Sequence, residues 1–273
     1  MKQIHRHLVT EEVFNVIRNG FFAIYKPKDV TSAKILERLK DTIVKLDRES
    51  VEDRKHILSA GHGGTLDKTA TGVLVVGICD GCKVLPFLLN GSKSYTVVGH
   101  LGISTDTYNE TGAITSESQY NHITEDKLKN ALNLFKGEFL QVPPLFSSLK
   151  KNGVCLSELA RKGEKIEVKP RSVICFKATC TRFDPPSFTL DVECSKGFYI
   201  RSLVHDLGKA LDSAAHVTSL VRTKHGPFTI NDCLTEDYFT LQNIITWIKL
   251  TRKQYPELAR YLDKRKQYIQ MNK

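Results

Sequence analysis

Apolar residues recur along this chain in two patterns, unbroken runs that predict strands and a spacing of three to four that predicts helices. Phe21 to Tyr25 is a short unbroken apolar and aromatic run that reads as a buried strand, stopped at Lys26-Pro27. Thr31 or Ser32 can cap a following helix from Ala33 to about Leu46, with Ile35, Leu39 and Ile43 four apart on one face. A charged stretch from Asp47 to Ser59 leads to Gly61-His62-Gly63-Gly64, whose glycines permit backbone shapes closed to other residues. Gly72 to Ile78 then reads as a second buried strand, and Asp80 is placed to cap a helix running to about Leu89.

Further on, Lys93 to Leu101 is rich in strand formers, and Thr124 to Lys136 has the pattern of a capped amphipathic helix. Val173 to Phe183 and Phe188 to Cys194 read as hairpin strands joined through Asp184-Pro185-Pro186. Ile200, Leu203, Val204, Leu207 and Leu211 mark a further helix. No repeat or low-complexity tract interrupts the pattern, which is mixed α and β with much antiparallel pairing.

Composition narrows the function classes. The chain has 273 residues, 41% of them hydrophobic, enough apolar material for one or two domains. No stretch approaches the roughly 20 apolar residues of a membrane span. The N-terminus lacks the apolar core of a secretory signal, and Glu11 and Glu12 argue against an acid-poor transit peptide, so a nuclear or cytosolic address is expected, without excluding a mitochondrial pool. Seven cysteines, scattered without a framework, are expected as free thiols. Forty Lys plus Arg against thirty Asp plus Glu gives a net charge of +10, which suits a polyanionic partner. Lys150 to Arg171 holds seven basic and three acidic residues, and Arg252 to Lys273 seven and two.

Candidate chemistry concentrates between Gly61 and Gly72, where a His, a carboxylate and several hydroxyls sit on a flexible loop. An Asp in a Gly-rich loop often does no more than cap a turn, so Asp67 gains weight only from other residues. Ser195 to Ser202 sets Tyr199 and Arg201 two apart at a helix start, where an Arg can hold a carboxylate charged and fixed. Lys93-Ser94-Tyr95 adds an aromatic residue on a strand.

With these motifs assembled, the sequence resembles the TruB family of tRNA pseudouridine synthases, most of all the eukaryotic members that modify the T arm. The resemblance runs from about residue 20 to 230 and is carried by seven motifs in order. They are Lys26-Pro27 with Thr31-Ser32, the Gly61 to Gly72 loop, Lys93-Ser94-Tyr95, Leu101-Gly102 with Thr105-Asp106-Thr107, Gln141-Val142-Pro143-Pro144, Ser195 to Arg201, and Arg222 with Gly226-Pro227-Phe228. It implies an α+β pseudouridine synthase fold, a long, mainly antiparallel mixed sheet with flanking helices. It implies that Asp67 is the catalytic carboxylate, that Arg201 pairs with it, and that Tyr199 accepts a proton. Tyr95 would stack on the target uracil, His62 and Gly64 would meet the RNA, Leu220 would pack on the base, and Lys26 and Pro27 would support the site wall.

The implied substrate is uridine 55 in the T loop of tRNA, with similar sites in messenger RNA, handled by a monomer with no obligate protein partner, no cofactor and no metal. Residues 1–19 would be an N-terminal extension, about 145–171 an RNA-clamping segment, and 231–273 a basic helical tail without the PUA module of many relatives. Two departures stand out: Asp29 where the family usually has Gly, and Ser94 where Arg is common. Two rival readings remain. Asp67-Lys68-Thr69 resembles the phosphoryl-acceptor motif of ion pumps, although Ala70 stands where those have Gly. The second rival is a non-catalytic RNA-binding or RNA-folding protein.

Overall fold

The computed structural model describes residues 11–44, 58–164 and 166–271. The end of the helix expected to reach Leu46 and most of the charged stretch after it lie outside the described residues. Two compact units partition the chain, residues 1–90 with 225–273 and residues 91–224.

In the first unit a helix, Glu11–Arg18, precedes strand β1 (Phe21–Lys26), followed by the helix Ser32–Val44. Strand β2 (Ala60–His62) and strand β3 (Thr71–Ile78) flank the glycine-rich loop. β3 pairs antiparallel with β1 on one side, Phe22 opposite Val76, and with β2 on the other, His62 opposite Val76. Alternate residues of β1 and β3 feed two separate cores. Phe22, Ile24, Leu74, Val76 and Ile78 pack with Ile35 and Leu39 of the helix, whereas Phe21, Ala23, Val73 and Val75 pack with Leu85 and Leu88. A sheet covered on both faces needs apolar residues at every position, which is why these strands read as unbroken runs.

Asp80 does not cap a helix. A 3₁₀ segment, Cys79–Val84, comes first, with Ile78 at its N-cap and no side-chain cap, and the α-helix is only Leu85–Leu89. The Asp80 carboxylate instead pairs with Lys83.

The second unit opens with strand β4 (Lys93–Leu101), then the hairpin β5 (Ile103–Thr105) and β6 (Ile114–Glu117). Thr124 caps the helix Glu125–Leu132 by accepting a hydrogen bond from the Lys127 amide, and 3₁₀ geometry ends it at Phe135. Strand β7 (Gly137–Gln141), the small hairpin β8 (Lys150–Lys151) and β9 (Val154–Cys155), and the helix Leu156–Arg161 follow. Strands β10 (Arg171–Asp184) and β11 (Ser187–Cys194) form the expected hairpin, and the helix Ile200–Ala210 leads into β12 (Ala215–His225). Within this unit the strand order is β12-β4-β11-β10-β7, with β4–β11, β11–β10 and β10–β7 all antiparallel. β4 alternates strictly, Lys93, Tyr95, Val97 and Leu101 on the buried side and Ser94, Thr96, Val98 and His100 half-exposed. This is the pattern of a sheet with one covered face. The helix Glu125–Leu132 packs against β10, and the helix Ile200–Ala210 against β4.

The chain then returns to the first unit through β13 (Phe228–Thr229) and β14 (Cys233–Leu234), and β14 adds to β1 in parallel. Two helices complete it, Leu241–Gln254 and Pro256–Met271. Ile244, Ile245 and Ile248 pack with Ile17 of the first helix in one core, and Leu262 joins the other.

Candidate functional site

The loop between β2 and β3 is fixed by two buried polar side chains. The Ser32 hydroxyl donates to the Leu66 carbonyl at 3.2 Å and accepts from the Leu66 amide at 3.0 Å. Thr31 takes the capping role, accepting from the Lys34 amide at 3.1 Å, so the two adjacent hydroxyls have divided tasks. Lys26, fully buried, donates from its ammonium to the carbonyls of Pro27 (2.8 Å), Val30 (2.7 Å) and Lys68 (3.1 Å). One cation thereby ties the turn after β1 to the residue beyond Asp67. Asp29, in that turn, has φ of 61°, which explains why glycine suits the position and why Asp is tolerated. Gly64 at φ 148° gives the loop its bend, in a region side chains rarely adopt.

Asp67 is half-buried, between the buried anchors Leu66 and Ala70, and its carbonyl accepts from the Ala70 amide at 3.2 Å. The carboxylate therefore rides on backbone pinned at both sides. His62 is half-buried on β2, and Pro27 half-buried in the turn that Lys26 braces.

In the second unit, Tyr199 is the residue before the helix Ile200–Ala210, in extended geometry. The buried Gln141 side chain donates to the Tyr199 carbonyl at 3.0 Å and accepts from its amide at 2.8 Å. Arg201 is only 5% exposed, and its guanidinium donates to the carbonyls of Thr107 and Phe146, both at 2.8 Å. Ser202 donates to Val142 at 2.8 Å. The Thr107 carbonyl is presented by a loop organised around Asn109. The Asn109 side-chain oxygen accepts from the hydroxyls of Thr107 (2.7 Å) and Thr111 (2.8 Å) and from the Thr111 amide (3.1 Å). One turn along from Arg201, His205 stacks on Tyr108 with centroids 3.8 Å apart and contacts the Ser104 hydroxyl through Nδ1. Burial, with Lys209 nearby, pulls His205 down to about 4, so it is neutral at physiological pH.

Tyr95 is buried on β4 opposite Val192, two residues from buried Lys93 and on the same face. Burial, and then the neighbouring Arg222, pull Lys93 down to about 8. Leu220 is half-buried on β12, two residues before the buried Arg222.

Residues 53–200 match the family model of the TruB family pseudouridylate synthase N-terminal domain, and residues 201–264 that of the tRNA pseudouridylate synthase B C-terminal domain. The chain is 48% identical over 248 residues to human pseudouridylate synthase TRUB1, covering 88% of this chain and 71% of that protein. The chain belongs to the TruB family of pseudouridylate synthases.

TruB proteins from bacteria are also similar, for example tRNA pseudouridine synthase B of Geobacter sulfurreducens, 36% identical over 217 residues, 80% of this chain and 67% of that one. Among solved structures, a Cbf5-Nop10-Gar1 complex contains a chain that superposes with a TM-score of 0.61 at 26% identity, over 82% of this chain and 54% of that one. This chain thus spans about half the length of that structural relative. The fold is the α+β pseudouridine synthase fold, with a mainly antiparallel sheet and flanking helices. No helix among the described residues is long and apolar enough to cross a membrane.

Placed on the TruB fold, His62, Gly64, Asp67, Lys26 and Pro27 belong to the first unit and gather around one loop, whereas Tyr95, Tyr199, Arg201 and Leu220 belong to the second. The motif spacing did not reveal what Ser32, Gln141 and Asn109 do. Each is a buried or half-buried polar residue whose partner is backbone 34, 58 or a few residues away. The signal for the first two was only their membership of a motif.

Proposed function

We propose that this TruB enzyme converts uridine to pseudouridine at position 55 of the tRNA T loop, and at messenger RNA sites presenting a similar loop, as a monomer in the nucleus or cytosol. The bond from ribose C1′ to N1 of uracil breaks, the ring turns, C1′ joins C5, the C5 proton leaves and N1 takes one up. In this reading Asp67 is the nucleophile, attacking C6 or C1′. Arg201 is its charge partner and Tyr199 receives the C5 proton. Tyr95 stacks on the everted base, offsetting roughly 1–3 kcal/mol of an unstacking cost of a few kcal/mol. Leu220 packs on the base, His62 and Gly64 meet the RNA, and Lys26 and Pro27 brace the wall.

The observation that carries this reading is the mounting of Asp67, half-exposed on a loop whose neighbouring backbone is bonded to Ser32 and Lys26. A carboxylate that merely capped a turn would not need two buried polar residues to hold its flanks. The basic segment from Lys150 to Arg171, within the region from about 145 to 171, supplies the RNA clamp through phosphate contacts.

The test is a T-arm RNA incubated with wild-type and Asp67→Asn protein, with pseudouridine mapped chemically and binding measured in parallel. The Asn variant is expected to bind within roughly threefold of wild type and form no product, since only a transition-state interaction is removed. Full turnover by Asp67→Asn would end the proposed mechanism, whereas RNA binding without product from the wild-type protein would favour a protein that only binds or refolds RNA.

A further inference from the structure

We propose that Gln141 is a positioning residue for Tyr199, an inference that rests on Tyr199 acting as the proton acceptor. Gln141 lies at the end of β7, on the buried side, 1% exposed. Its amide is bonded twice to one residue, donating to the Tyr199 carbonyl at 3.0 Å and accepting from the Tyr199 amide at 2.8 Å. This is the pairing a neighbouring strand would provide, supplied by a side chain at a point where the backbone is leaving extended geometry for a helix.

The consequence is directional. Tyr199 has φ −110° and ψ 107°, and its own side chain does not cap the helix that follows. With the peptide groups on both sides of its Cα held by one planar amide, the direction of the Cα–Cβ bond is set. Only the side-chain torsions remain to place the ring. Gln141 also begins a segment that addresses the same helix start residue by residue. The Val142 carbonyl accepts from Ser202, and the Phe146 carbonyl from Arg201, each at 2.8 Å. Tyr199 and Arg201 are therefore held in one register by one strand end and the loop after it.

The donor and acceptor pattern of the amide gives a test that bulk or stability cannot imitate. In Gln141→Glu the ionised carboxylate has acceptors only and faces the Tyr199 carbonyl with an unfavourable partner. Protonated, it regains one donor and one acceptor in the same shape. Burial raises a carboxyl above its ordinary value of about 4.3, so recovery should come as pH falls toward about 5 to 6. Turnover of Gln141→Glu, relative to wild type at each pH, should be reduced roughly tenfold or more at neutral pH and climb as pH falls, with KM for the RNA unchanged. Gln141→Ala should be slow at every pH, and hydrogen exchange at the Tyr199 amide should be faster in it than in wild type.

Wild-type kcat in both variants would overturn the inference, as would a Gln141→Glu deficit that pH leaves untouched. A loss confined to KM would also overturn it. Tyr199→Phe separates this from the underlying reading: full turnover there removes the role of Tyr199 itself, whereas an inactive Phe variant beside fully active Gln141 variants overturns the positioning role alone.

Discussion

Ser32 contributes one side chain to two hydrogen bonds on Leu66, so its loss strands two backbone groups at once in a place water does not reach. Each such group costs about 1–3 kcal/mol, and Ser32→Ala should lower the unfolding free energy by roughly 2–4 kcal/mol in urea titrations. A loss under about 0.5 kcal/mol, the size of a surface change, would show that the loop holds itself. Lys93 gives a pH prediction with a definite sign. Its folded value, about 8, lies below the ordinary 10.5, so between those two pH values the unfolded chain binds the extra proton. The cost of burying the ammonium is thus fully present below about pH 8 and is relieved as pH rises toward 10.5. Unfolding free energy of wild type should therefore climb relative to Lys93→Met across that window, and parallel curves would refute the burial of a charged Lys93.

At the scale of elements, the crossing of the 3₁₀ segment with the turn before β1 leaves no room for a side chain. A Cβ on Gly81 would lie 1.8 Å from the Gly20 carbonyl oxygen, and backbone cannot step aside as a side chain can. Gly81→Ala should cost about 3 kcal/mol or more, whereas Gly63→Ala, whose Cβ would meet only ordinary contacts at 3.5 Å and beyond, should cost under about 1. Equal losses by calorimetry would mean that the crossing relaxes. What could be read from the sequence follows from how local its cause is. β1, β3 and β4 were legible because their apolar spacing reports their own covered faces. The helix Glu11–Arg18 was not, since what fixes it is the helix Leu241–Gln254, more than two hundred residues away. Asp80 had the residue type of a cap, but Lys83 one turn on offered it a competing partner. Likewise Thr31 and Ser32 are chemically alike, and only the arrival of Leu66 separates them.

For the whole molecule, the excess of ten positive charges matters through the proposed RNA partner. Four neutralised phosphates would weaken binding roughly a hundredfold between 50 and 200 mM salt, a dependence that filter binding across that range would measure. A flat response would mean that charge plays no part in the grip. Asp67 drew attention through its motif, whereas the part Ser32 plays in holding the backbone before it was not legible, because any buried polar group can serve. The first unit is built from both ends of the sequence, with β1 gaining β14 as a neighbour only after some two hundred intervening residues. On a ribosome, the segment carrying Asp67 would emerge early and wait, its unit incomplete until β14 and the helices Leu241–Gln254 and Pro256–Met271 are made. Competence for catalysis would then follow synthesis of the segment carrying Asp67 by at least the time taken to add β14.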